Sequence, residues 1–140
     1  MKKLAVVLAL AAMSGAAQAQ PAFEGPDYSG VYECLGKDAR EGEYTGIVTM
    51  QLVPEHSRGN HGAYAFKLEV PGFGVYPGHA VSEGDKLAIY FALQEPSTKD
   101  YGSGIATIRK GESGKWAFSK FYYEPEYEGG NTGTEECAIK

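Results

Sequence analysis

The side chains with the most evident chemistry lie in one stretch near the C-terminus, residues 116–128 (WAFSKFYYEPEYE), which carries the only Trp and three of the ten Tyr. Glu124, Glu126 and Glu128 alternate there with Pro125 and Tyr127. Paired carboxyls can divide acid and base work, or hold Ca²⁺ together with carbonyl oxygens. Acids at alternate positions also form ordinary solvated faces, and that is the expectation for this run. A small hydrolase using Glu124, Glu126 and Glu128 is kept as an alternative. The tyrosines are more suggestive. Tyr122, Tyr123 and Tyr127 cluster in sequence, and Tyr101 precedes a glycine turn. Tyr combines an apolar body with a polar tip, which suits ligand mouths and protein interfaces, although cross-strand packing uses it equally well. Consecutive Tyr122 and Tyr123 must point to opposite faces of a strand, so one of them faces outward from a barrel.

Other reactive residues are sparse. His56 and His61 share a loop without the Cys or carboxylate neighbours of a zinc site, and they read as surface histidines. Gly-x-Ser-x-Gly is absent, and Gly102-Ser103-Gly104 is a glycine-flanked serine ahead of a strand. No catalytic set, metal site or cofactor is expected. Cys34 and Cys137 are the only cysteines. In an oxidising compartment such a pair forms a disulfide, here tying the first strand to the last.

That compartment follows from the N-terminus. Lys2 and Lys3 precede an apolar run over residues 4–13, and Ala17-Gln18-Ala19 fits the small-x-small cleavage rule. Residues 1–19 are expected to be a cleaved signal peptide, 20–27 a loose leader, and 28–140 a single domain. The apolar run is shorter than the ~20 residues that span a bilayer. The protein is expected in the periplasm or secreted, without membrane insertion. Cleavage removes two lysines and no acid, taking the formal charge from −5 to −7. This balance argues against nucleic acid as a partner and is compatible with a cationic one.

Behind these residues the chain reads as short runs of period-two alternation, separated by Gly, Pro, Asn and Asp. They are expected near 28–35, 44–53, 62–70, 75–81, 86–93, 102–110, 115–123 and 132–139. Tyr64, Phe66, Leu68 and Val70 alternate with Ala65, Lys67 and Glu69, so one face is buried and the other wet. Leu87, Ile89, Phe91 and Leu93 repeat the pattern. Residues 37–43 read as a loop, and Pro77 is expected only at an edge, bulge or strand end. About eight strands without a convincing helix predict an all-β, single antiparallel up-and-down barrel. Closure would set the first and last strands side by side, where the cysteines need them.

Gly30-Val31-Tyr32 resembles the Gly-x-Trp start of the lipocalins, with Tyr for Trp, and Tyr32-Glu33-Cys34 is similar to the Tyr-x-Cys of periplasmic inhibitors of C-type lysozyme, whose Ser-Gly-x-x-Tyr segment is absent. Both resemblances imply a calycin-like exported barrel that binds a ligand or a protein. The leading expectation is therefore a non-enzymatic binding protein, taking a small apolar or aromatic ligand in its mouth or a cationic protein partner at its rim. An inhibitor or envelope-interaction factor is the alternative. An interior filled by Met50, Leu52, Phe66, Leu68, Leu87, Ile89 and Phe91 would exclude the small ligand. Pro125 has no N–H to continue a ladder, so the chain leaves the sheet there. Tyr101, Tyr122, Tyr123, Glu124 and Tyr127 are expected to form the recognition surface.

Overall fold

A computed structural model describes residues 19–140, so the proposed signal peptide lies almost wholly outside the described residues. Eight strands follow in order: β1 Gly30–Asp38, β2 Gly42–Leu52, β3 His61–Val70, β4 Gly74–Glu83, β5 Lys86–Ala92, β6 Tyr101–Lys110, β7 Trp116–Glu124 and β8 Asn131–Ile139. Each pairs antiparallel with its neighbour in sequence, and β8 returns to β1, closing the barrel. Alternation decides the faces. Tyr32, Cys34, Val48, Met50, Phe66 and Leu68 point inward and are buried, as are Leu87, Ile89 and Phe91. Lys67 and Glu69 stay at the outer surface, where they pair at 3.0 Å.

Cys34 and Cys137 stand opposite each other in the β1–β8 register and are joined. The bond closes a loop of 103 residues. On the chain-entropy view, a loop of that size stabilises the fold by up to ~4.7 kcal/mol.

One local expectation needs correction. Residues 37 and 38 extend β1, and the first turn is confined to 39–41 because Asp38 Oδ1 accepts the Arg40 and Glu41 amides at 2.8 and 2.9 Å. Gly42, at φ 84°, then re-enters the sheet. Pro77 sits inside β4 rather than at its end. It is tolerated because residues 74–77 pair with β3 alone, the β4–β5 ladder beginning at Gly78, so Pro77 stands on a local edge, one of the positions expected for it.

The alternating strands leave the barrel with two unlike ends. At one, the chain before β1 crosses the opening. Glu24 N–H donates to Gly59 O at 2.8 Å, and Gly59 N–H to Ala22 O at 2.9 Å. Tyr28 then drops inside, edge-on to Trp116 at 4.9 Å between ring centres. Its hydroxyl donates to Gly84 O at 2.7 Å, and Tyr32 donates to Tyr28 O at 2.7 Å. This end is closed. Turns 39–41, 71–73, 93–100 and 125–130 surround the other end, which is open.

Candidate functional site

The site at the open end grows out of β7 and β8. On β7, Phe118, Lys120, Tyr122 and Glu124 share the inward face. On β8, Asn131, Glu135 and Cys137 do the same. Charged groups therefore enter the barrel through the same parity that buries Phe118 and the disulfide. Inward glycines make room for them. A Cβ on Gly36 or Gly133 would overlap the rings of Tyr44 and Tyr122 respectively, and one on Gly104 would crowd the Lys120 stem.

Lys120 and Glu135 lie deepest, both without side-chain exposure, with Nζ 2.6 Å from Oε2. The contact is close but not aligned as a hydrogen bond. The ammonium also sits 5.2 Å from the Phe91 ring centre and 5.3 Å from that of Tyr122, within cation–π range. Tyr44 donates to Glu135 Oε1 at 2.5 Å, and its hydroxyl is 3.5 Å from that of Tyr122. Tyr122 donates in turn to Asp38 Oδ2 at 2.7 Å. Asn131 Nδ2 bridges Asp38 Oδ2 and Glu124 Oε2, each at 2.7 Å. Tyr76 donates to Asp100 Oδ2 at 2.9 Å, and Tyr127 donates to Glu41 at 2.9 Å on the rim. A polar network thus runs from the buried ion pair to the mouth.

The acids differ in their protonation. Burial pushes Asp38 up, but hydrogen bonds from Glu41 N–H, Tyr122, Arg40 N–H and Asn131 outweigh it and hold the carboxyl below its ordinary value. Glu124 is pushed up to about 7, first by burial, against the Asn131 bond, and then by Asp100 and Asp38. Asp100 is raised by burial as well, although the hydrogen bond from Tyr76 opposes the rise. Asp100 Oδ1 is buried without a donor. Two carboxylates cannot bond to each other, so a proton on Glu124 is what this oxygen calls for. Like charges crowded in a partly desolvated site keep one member neutral. The phenols of Tyr44, Tyr76 and Tyr122 are all raised, chiefly by burial and then through their carboxylate partners.

Between these groups lies a cavity of about 50 Å³, lined among the described residues by five carboxyl residues (Asp38, Glu41, Asp100, Glu124, Glu135), one cation, Lys120, and aromatic and aliphatic side chains. Phe73, 48% exposed, forms an apolar lip. Glu126 lies 3.9 Å from Lys99 across two rim turns, and Arg40 donates to Gly130 O at 3.2 Å.

The sequence-predicted surface is divided by the barrel wall. Tyr122, Glu124 and Tyr127 line the cavity. Tyr123 is on the outer face, 47% exposed, and Tyr101 stands on the outward parity of β6. The expectation that Tyr122 and Tyr123 separate is met. The acidic run is not one solvated face: Glu124 is buried on β7, whereas Glu126 and Glu128 lie exposed in the turn after Pro125. The two exposed acids do not join it in the cavity lining. Asp38, Asp100, Asn131, Lys120 and Glu135 were not singled out from the sequence. For Lys120 and Glu135 the signal is parity alone: period-two alternation puts Lys120 on the face of Phe118 and Tyr122, and Glu135 on that of Cys137. The donor atoms of Cys34, Glu135 and Cys137 lie within 4.8 Å of one another, but the two sulfurs are joined and cannot act as thiolate ligands. In comparison with known proteins, no family model, curated protein or solved structure matches this chain.

Proposed function

We propose that this chain is a non-enzymatic, exported, periplasmic binding protein whose open barrel mouth takes a cationic group, an ammonium or a guanidinium, presented by a protein partner. One observation carries the reading: among the described residues five carboxyl residues and a single cation line the mouth cavity, and that cation is already paired with Glu135. The remaining acids present acceptors without a positive partner inside the cavity. Charge-assisted bonds to carboxylates are the stronger class, and a guanidinium fork matches them in pairs.

Size supports a side-chain tip over a free small molecule. Drug-sized ligands occupy pockets of roughly 300–1,000 Å³, and this cavity is about 50 Å³. Below it the interior is filled by Met50, Phe66, Leu68, Ile89 and Phe91. The outward strand positions include Glu33, Lys37, Lys67, Glu69 and Arg109, the reverse of the apolar outer band of a lipid-spanning barrel.

Calorimetric titration with an arginine-terminated basic peptide, and with its citrulline analogue of matched shape, tests the proposal. Binding of the arginine peptide that weakens with salt and disappears with citrulline is expected. Equal binding of the two peptides, or none at millimolar concentration, would sink it.

A further inference from the structure

The outer wall formed by β4–β8 carries a sector without Asp, Glu, Lys or Arg. Two adjacent cross-strand rows define it. One passes through Val81, Ala88, Ile105, Phe121 and Thr134. The next, nearer the open end, passes through His79, Tyr90, Ser103, Tyr123 and Thr132. The row on the other side returns to charge, with Glu83, Lys86 and Glu136. Beyond β8 the first row meets Lys37 of β1, and there Glu33, Lys37 and Glu136 flank the exposed Val31 and Leu35, so charge interrupts the apolar surface.

The sector is apolar as well as uncharged. Ile105 is 63% exposed, Phe121 50%, Tyr123 47%, Val81 45% and Tyr90 42%. Ile105 and Phe121 are direct cross-strand partners at its centre. With aromatic side chains of ~150–250 Å², these five leave on the order of 400–500 Å² in one patch. That is near the upper end for the largest patch on a typical monomer, ~300–600 Å².

We infer that this wall pairs with the same wall of a second copy of the chain, forming a two-fold dimer through stacked sheet faces. Charge identifies the occupant. The chain is acidic, with a formal net charge of −5, so copies meeting through most faces set like charges together. This sector is where they do not. An uncharged apolar face is complementary to itself under a two-fold axis. It offers nothing to the cationic partner proposed for the mouth. Sheets stack face to face about 10 Å apart. A standard interface buries ~800 Å² per partner, of which these five apolar side chains supply about half. The wall runs along the side of the barrel, so both mouths stay open in the dimer. The inference does not depend on what the mouth binds.

The test uses the disulfide-bonded mature protein in sedimentation velocity from micromolar to submillimolar concentration, at about 0.15 M and about 1 M salt. A concentration-dependent dimer that salt does not weaken is expected. Ile105→Glu, on an exposed outward position, is expected to weaken dimerisation at least ~10-fold while leaving the melting temperature of the monomer nearly unchanged. Should that variant fold poorly, Ser103→Lys places a charge in the same sector without replacing an apolar side chain. Glu124→Gln, inside the mouth, leaves the dimer intact. A monomer at every concentration overturns the inference, as does a dimer that survives a charge at either position 103 or 105. Loss of the dimer in Glu124→Gln would move the contact to the mouth, and flotation of a monomer with anionic lipid vesicles would assign the wall to a membrane surface.

Discussion

The two ends of the barrel use the same residue, an inward tyrosine, with opposite kinds of acceptor. At the closed end the phenols of Tyr28, Tyr32 and Tyr64 donate to the backbone carbonyls of Gly84, Tyr28 and Pro26. Lys110 lies over the Trp116 ring at 3.6 Å, outside the plug. At the open end Tyr44, Tyr76, Tyr122 and Tyr127 donate to the carboxyls of Glu135, Asp100, Asp38 and Glu41. A carbonyl acceptor is neutral and satisfied, so the closed end is packing with its polar tips tied off. A buried carboxylate retains its charge and further lone pairs, and desolvating it costs energy that its bonds only partly return. The closed end therefore reads as stability, and the open end as stability given up, which is the feature the proposed binding of a cationic group rests on.

The contrast is testable from its largest expected effect downward. Tyr32 is fully buried, and Tyr32→Ala should cost about 3–5 kcal/mol, as large aromatic truncations in cores do. Urea denaturation measures this, and a cost below ~1 kcal/mol would show that the plug is not structural. At the base of the open end, Lys120→Met should cost about 3–5 kcal/mol, because Glu135 is left buried and unpaired. The double variant Lys120→Met/Glu135→Leu should recover most of that loss. If it does not, the ion pair is contributing more than mutual compensation.

The pH response separates the ends further. Glu124 is raised from 4.5 to about 7, so between those values the folded state binds more protons than the unfolded chain, and stability falls as pH rises. Its contribution is complete below the unfolded value and lost as pH passes the folded one. Asp38, held low, acts in the opposite sense: its contribution is present above its ordinary value and lost as pH falls through the folded one. Wild type should lose stability from about pH 5 to about pH 8, and Glu124→Gln should flatten that slope. Affinity for a cationic peptide should move the other way, rising as Glu124 ionises. A wild-type slope that survives Glu124→Gln would place the titrating group elsewhere.

The smallest effect on stability belongs to the rim. The Tyr127 hydroxyl donates to Glu41 across two turns. Tyr127→Ala should change stability by about 0.5 kcal/mol or less yet weaken binding of the arginine peptide by more than ~1 kcal/mol. Calorimetry paired with thermal denaturation reads both, and a variant that unfolds would make Tyr127 core rather than rim.

Much of the frame was legible in the residues. Period-two alternation assigns a face to nearly every strand residue, because successive side chains on a pleated strand point opposite ways. It therefore separated Tyr64, Phe66 and Leu68 from Lys67 and Glu69, and divided Tyr122 from Tyr123 before any geometry was in hand. Eight such strands with short connections lead to a closed barrel, and the barrel sets Cys34 opposite Cys137. In the structure the same parity carries Lys120, Glu124 and Glu135 inside, but alternation does not say which face of β7 or β8 is inward, and their charge argues for solvent. Nothing local distinguishes an inward glutamate that meets a lysine from one that faces water.

Tertiary structure alone decided which end of the barrel is plugged and which acids meet. Tyr28 closes one end through contacts with Gly84, Tyr64 and Trp116. Asp38, Asp100 and Glu124 converge at the other from three separate strand ends. Strand phase is a short-range property that a few residues encode. A site assembled from turns far apart in the chain is set by which strands become neighbours and by how closure brings their ends around one opening, and alternation carries no record of either.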